Sequence, residues 1–378
     1  MVDRLEAGST RIQRIEVFGY DLTYAHGDYV MSEGRVVNQI PSTVVRMVVA
    51  DGTSGFGETC PLGSTYLPAF AAGARAALEV LAPSLIGADA ANLADVRRRM
   101  DGALRGHEYA KSALDTACWD VIGRCSGLPV WALLGGRAQE LLPLYVAVPL
   151  GDPDDMRRFV ERERERGVRR FQLKVGARPE EDFERVAEVL EATGPEDGVI
   201  ADANGGWRLQ QAIEAARLME PLHRLRLEQP CATFEESLAV RQLTTLPMVL
   251  DEVIVDLGAL HRAMTHMAMD HINLKIGRVG GLTRARLMRD AAVELGLVLT
   301  IEDSWGGDIV TATVSHLAAA VPAQQLFAVS FMNDWTVESV AQDAPRMSNG
   351  FGPVPDGPGL GITVDIDAFG PALLAVGE

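Results

Sequence analysis

FQLK (171–174), GVIAD (198–202), RLRLE (224–228), PMVLD (247–251) and HINLK (271–275) are short apolar runs that each end in a charged residue. Their ends, Lys174, Asp202, Glu228, Asp251 and Lys275, are spaced 28, 26, 23 and 24 residues apart. Short apolar runs at that period, with helical patterns between them, read as parallel strands in βα units. Outward from this ladder the pattern continues. Leu144–Val148, Val298–Glu302 and Leu326–Ser330 are further strand candidates, and Glu180–Ala192 and Leu209–Met219 have helical periodicity. Eight such strands make a barrel whose strand C-termini converge on one face, where active sites sit.

Upstream the pattern changes. Arg14–Tyr24, and Thr43–Val49 with Ser54–Glu58 across the turn Asp51-Gly52, read as antiparallel strands. Three helical stretches follow, one running to Leu81, then Ala91–Leu104 and Tyr109–Arg124. The prediction is an α/β protein: a modified (β/α)8 TIM-type barrel over residues 141–330, with an N-terminal α+β capping domain over residues 1–140. A Gly- and Pro-rich C-terminal segment, residues 331–378, is expected to return to the cap. The alternating run ERERER (161–166) reads as a solvated helix face. The cluster GRVGG (277–281) lacks the dinucleotide fingerprint and reads as βα-turn geometry.

Composition narrows the function classes. With 378 residues, 47% of them apolar, the chain can bury a large core without disulfides. A net charge of −17 repels phosphate, so neither nucleic acid nor an anionic membrane is expected as a partner. The first twenty residues lack the apolar core of a secretory leader, and no apolar run approaches 18 residues. Four cysteines without C-x-x-C spacing suit a reducing compartment. A cytoplasmic enzyme acting on a small molecule is the expectation, with assembly into a homo-oligomer.

Three carboxylates on consecutive strand ends, Asp202, Glu228 and Asp251, would repel one another, and a divalent cation is the simplest remedy. Hard oxygen donors without His or Cys favour Mg²⁺. Lys174 and Lys275 close strands two and six, roughly opposite each other around the ring. A lysine beside a second cation has a lowered pKa and can act as a base. Such a site suits removal of a proton α to a carboxylate, with the charge of the enediolate held by the metal.

The motifs FQLKVG, ADAN, LEQPC, LDE and NLKIGRVGG resemble those of the mandelate racemase / muconate lactonizing enzyme group of the enolase superfamily, over the whole chain length. The resemblance implies that Lys174 and Lys275 are the catalytic lysines and that Asp202, Glu228 and Asp251 hold Mg²⁺. Gln172 departs from the K-x-K frequent in that group, while Lys174 keeps the position of the base. The stretch IEDSWGGDI (301–309), with LEQPCATFEES and VLDEVI, is similar to cis-3-hydroxy-L-proline dehydratases and, less closely, to proline betaine 2-epimerases. Asp303 and Trp305 offer a carboxylate and an aromatic face to a substrate ammonium. Gln172, Asn204 and Tyr66 complete the expected substrate contacts, and the capping-loop regions that supply Tyr66 also carry Tyr24 and Tyr29. Three functions are open at this point: dehydration of cis-3-hydroxy-L-proline, racemisation or 2-epimerisation of a proline derivative, and non-catalytic ligand binding on a barrel scaffold.

Overall fold

The first long strand, β1 (Ile12–Thr23), buries Ile12, Ile15, Val17, Phe18 and Leu22 and pairs antiparallel with β2 (Gln39–Val49). The turn at Asp51-Gly52 returns the chain as β3 (Ser54–Thr59), and the strand Leu374–Gly377 at the far end of the chain adds to the free edge of β1. The computed structural model describes residues 9–378. Residues 1–8, on which part of the expectation about a leader rests, lie outside the described ones. Helices α1 (Ala71–Leu85), α2 (Leu93–Ala103) and α3 (Glu108–Ser126) cover the sheet. Helix α3 lies so close to β3 that a Cβ on Gly55 or Gly57 would collide with the Ala117 and Ala113 carbonyls. Small residues there are a packing requirement.

Eight parallel strands then follow in chain order around a second sheet. They are β4 (Val146–Val148), β5 (Arg170–Lys174), β6 (Gly198–Asp202), β7 (Leu225–Glu228), β8 (Met248–Leu250), β9 (His271–Lys275), β10 (Val298–Glu302) and β11 (Leu326–Val329). The sheet curls until its edges meet at the parallel bridge between Leu144 and Val329, where Tyr145 N donates to Val329 O. The α/β barrel with a strand-rich N-terminal cap is thus present. Lateral register sets the functional face: Lys174 lies beside Asp202, Asp202 beside Glu228, and Lys275 beside Glu302. Among the described residues no helix is long and apolar enough to cross a membrane.

Cap and barrel meet through buried polar anchors. Asp115 of α3 accepts from the Thr283 backbone N–H (2.9 Å) and hydroxyl (2.6 Å), and Trp119 donates to the same hydroxyl. Glu58 of β3 accepts from Tyr20 and Ser42 in the cap and from the Gly307 and Val310 backbone N–H groups at the start of the barrel helix Asp308–Ala318. A helix N-terminus has free donors and a positive dipole end, so a carboxylate is well placed there. The C-terminal segment bridges Tyr24 of the cap at Thr336, then pairs Phe351–Pro353 with Leu141–Pro143 at the barrel entry, and its last strand reaches β1.

That segment is also pinned by Asp308. This fully buried carboxylate accepts from Asn333, Ser339, Arg346 and the backbone N–H groups of Val340 and Ala341. Asp308→Ala would strand several buried donors at once and is expected to lower the unfolding free energy by about 3–5 kcal/mol. A urea midpoint equal to that of the unmodified protein would show that the cluster adds no stability.

Several expectations need correction. The run ERERER is not uniformly solvated, because Glu163 is buried and ion-paired with Arg166. The pattern of alternating sign hides one carboxylate turned inward on the helix Pro153–Glu165. Arg224 lies outside β7, since its backbone has a left-handed φ of 73°. Cys118 is buried in α3, whereas Cys125 is half-exposed with Sγ near Asp51; all four cysteines are free. In the GRVGG turn Gly280 packs against Glu108 and Gly281 against Asp115 of α3, while Gly277 faces Asp303 and Tyr109, so carboxylates occupy the space a phosphate cradle would need.

Candidate active site

Each strand of the barrel ends where its backbone partners run out, so a side chain at that point faces the space above the core. Lys174 Nζ lies 2.5 Å from Asp202 Oδ2 and 2.9 Å from Gln172 Oε1. Gln172 in turn donates to both oxygens of Glu228 (3.0 and 3.1 Å), and Asn273 donates to one of them (2.6 Å). Across the ring, Lys275 Nζ donates to Asp251 Oδ2 (2.7 Å) and to the Tyr66 hydroxyl (3.2 Å). Arg278 binds the other Asp251 oxygen at 2.7 Å. Asn204 donates to Asp202 through both its backbone and side-chain amides. The ten residues singled out from the sequence thus gather at one end of the barrel. Tyr66, Gln172, Lys174, Asn204, Lys275, Asp303 and Trp305 line a single small cavity, and the three acids lie against its lining residues.

The charges explain the local electrostatics. Burial alone would lower the Lys174 pKa, but the Asp202 carboxylate outweighs it and the net shift is upward. Lys275 is likewise raised, with Asp251 and Glu302 overcoming desolvation. This corrects the expectation of lowered lysine pKa values: the nearest charges within the protein are carboxylates, not a second cation. Glu228 is pushed well above the usual carboxylate range by burial and then by Asp202 and Asp251. Asp251 is held low, since Arg278 and Lys275 overcome its desolvation.

Does this donor set fit Mg²⁺? Among the described residues no three acids are gathered into a cation cage, because their oxygens are turned to lysine, arginine and amide donors. Yet three buried hard-oxygen carboxylates sit together, and the hydrogen bonds that Glu228 receives come from the Gln172 and Asn273 amides. Counted with Glu302 and Asp303, the carboxyls at this end of the barrel outnumber Lys174, Lys275 and Arg278, which suits a small divalent cation. Cation binding to the same oxygens would also take over the neutralising role of the two ammonium groups and reverse the direction of their shifts. The residues present fit the metal.

Above the acids the cavity changes character. Asp303 is fixed by backbone N–H groups, Gly277 N on one oxygen (2.8 Å) and Ser304 N on the other (2.7 Å). Burial raises its carboxyl to about 6. Trp305 meets Tyr24, Tyr29 and Trp335 edge-on, with ring centroids 5.2–5.9 Å apart, and its indole N–H has no partner among the described residues. Tyr29 and Tyr66, from the cap, line the cavity, whereas Tyr24, also from the cap, packs against Trp305 without lining it. Glu302, Tyr145, Glu252 and Arg278 also belong to it and are absent from the sequence-based set. Glu302 carries a usable signal, since it ends the run VLTIE 27 residues after Lys275 and simply extends the ladder.

Comparison with known proteins agrees with this geometry. Residues 155–368 match the family described as enolase C-terminal domain-like, and residues 15–135 match the mandelate racemase / muconate lactonizing enzyme N-terminal domain. A cis-3-hydroxy-L-proline dehydratase from Roseibium aggregatum is 44% identical over 95% of this chain and 98% of its own. An N-succinyl-L-Arg/Lys racemase from Bacillus cereus is 27% identical over 77% of this chain and 79% of its own. A mandelate racemase / muconate lactonizing enzyme-like protein from Roseovarius nubinhibens, solved in complex with magnesium, superposes with a TM-score of 0.94 at 34% identity, covering 97% of this chain and all of that one.

Proposed function

The chain belongs to the mandelate racemase / muconate lactonizing enzyme group of the enolase superfamily, and from that premise we propose that it dehydrates cis-3-hydroxy-L-proline to Δ1-pyrroline-2-carboxylate. One observation carries the reading: two lysines on strands two and six open into one small cavity that also holds a buried carboxylate and an aromatic cage. The dehydratase relative supports water loss as the outcome.

In this reading Asp202, Glu228 and Asp251 would hold Mg²⁺, which when bound supplies positive charge for the substrate carboxylate as Cα loses its proton. Asp303 pairs with the ring ammonium, held in place by its two backbone donors. Trp305 presents its face to the same cation while Tyr24, Tyr29 and Trp335 keep water away. A lysine on one ring face accepts the α-proton at Nζ, and the opposite face governs what leaves C3. Gln172 bridges Lys174 to Glu228 and orients both.

Incubation with cis-3-hydroxy-L-proline in D₂O tests the reading, with water loss and α-deuterium followed together. Release of water with formation of the cyclic imine is expected. A second reading, 2-epimerisation of proline betaine or another proline derivative, is favoured by the same pair of lysines on opposed strands. Deuterium uptake at Cα without water loss would select it.

The role of Asp303 has a signature in pH. With its carboxyl raised to about 6, it is protonated below that value and loses its attraction for an ammonium. The kcat/KM for the imino acid is therefore expected to fall as pH drops through about 6. Asp303→Asn should remove that limb and lower kcat/KM by roughly 30-fold or more, in keeping with the about 2–5 kcal/mol that truncating one partner of a buried charge pair costs. An acid limb that persists in the variant would assign it to another group.

A further inference from the structure

Glu302 ends β10 as the lateral partner of Lys275, and its Oε1 lies 3.3 Å from Lys275 Nζ. The Tyr145 hydroxyl donates to its other oxygen, Oε2. Oε1 is buried and accepts no hydrogen bond from the described residues, yet Glu302 lines the cavity together with both lysines. A carboxyl in the reacting cavity with one oxygen anchored by Tyr145 and the other, without a hydrogen bond, facing the Lys275 ammonium is placed to exchange a proton.

Substrate stereochemistry says which proton. In cis-3-hydroxy-L-proline the hydroxyl and the carboxylate share a ring face, so the α-hydrogen lies on the face opposite the hydroxyl. Base and acid must then approach from opposite faces. Strands two and six stand across the barrel, and Glu302 lies on the Lys275 side.

We propose that Lys174 takes the α-proton and that Glu302, on the opposite face, protonates the departing 3-hydroxyl; the assignment rests on the dehydratase reading. The Cα–H bond breaks toward neutral Lys174 Nζ, and its electron pair becomes the Cα=Cβ bond. The Cβ–O bond breaks, its electron pair stays on oxygen, and that oxygen takes the Glu302 proton and leaves as water. Lys174 ends protonated and Glu302 ends ionised, and one proton passes between them through solvent to restore both. The 2,3-enamine then tautomerises to the imine.

The neighbouring donors are less suited. Lys275 already directs its ammonium to Asp251 and Tyr66. Tyr145 directs its single proton to Glu302. Burial is the largest influence on the Glu302 carboxyl and raises it above the ordinary glutamate range.

A leaving group that departs without a proton separates this role from a structural one. Chloride is such a group, so the substrate pair is cis-3-hydroxy-L-proline and cis-3-chloro-L-proline, assayed with the Mg²⁺-supplied enzyme. Glu302→Gln is expected to lose at least 100-fold in water elimination, while chloride elimination and α-proton exchange stay within about fivefold. Glu302→Asp, which keeps a carboxyl, should recover part of the water elimination. Undiminished dehydration by Glu302→Gln overturns the assignment and points to Lys275 as the donor. Equal loss for both leaving groups in both variants also overturns it, as that is the mark of a packing residue. An unmodified enzyme that eliminates neither group would defeat the dehydratase reading itself, and this assignment with it.

Discussion

Lys174→Ala is expected to lose both dehydration and α-proton exchange, by about 10²–10⁴-fold, the usual contribution of a positioned proton-transfer group. Geometry decides this before electrostatics does. Lys174 Nζ is bridged to the Glu228 carboxyl through Gln172 and sits against Asp202, so it is held at the floor of the cavity on the face away from Glu302. Lys275→Ala should differ in kind. Turnover falls, because Tyr66, Asp251 and Glu302 are deprived of their shared ammonium, but exchange of the α-proton persists. The measurement is deuterium incorporation into recovered cis-3-hydroxy-L-proline. If Lys275→Ala abolishes exchange and Lys174→Ala retains it, the two faces are reversed.

Removing divalent metal is the second large effect. Dialysis against EDTA should abolish turnover, and Mg²⁺ should restore it. Without a cation the three acids hold the lysines protonated, as the upward shifts of Lys174 and Lys275 indicate, and a protonated lysine cannot take a proton. Glu228→Gln should weaken the response to added Mg²⁺, because the Glu228 strand lies between those that lead to the other two acids and both raise its carboxyl. Full turnover by protein stripped of metal would remove Mg²⁺ from the mechanism.

Much of the site is legible in the sequence because of one regularity. A charged residue at the C-terminal end of an apolar run belongs at a strand end, so five positions fall on one face without knowledge of any helix. Glu302 obeys the same rule, but it is overshadowed by Asp303 and Trp305 beside it, whose chemistry is more obvious. Tyr145 carries no signal, as it lies inside the apolar run LYVAV and reads as core. Asn273, between Ile272 and Leu274, looks like an isolated polar residue until Glu228 is seen across the barrel. Lysine charge state is hidden for a physical reason. Sequence reveals which ionisable groups recur but not which is nearest, and here each ammonium sits against a carboxylate.

The walls of the cavity come from two different units. Lys174, Lys275 and the acids belong to barrel strand ends, whereas Tyr29, Met31 and Tyr66 descend from the cap. Evolution can therefore vary the ceiling while leaving the floor intact. A lineage that exchanges the loops following β1 and β3 alters which molecules are admitted, and the proton-handling groups need not change in step. A graft of those two loops between relatives is expected to transplant preference while the lysines and carboxylates of the barrel beneath stay in place.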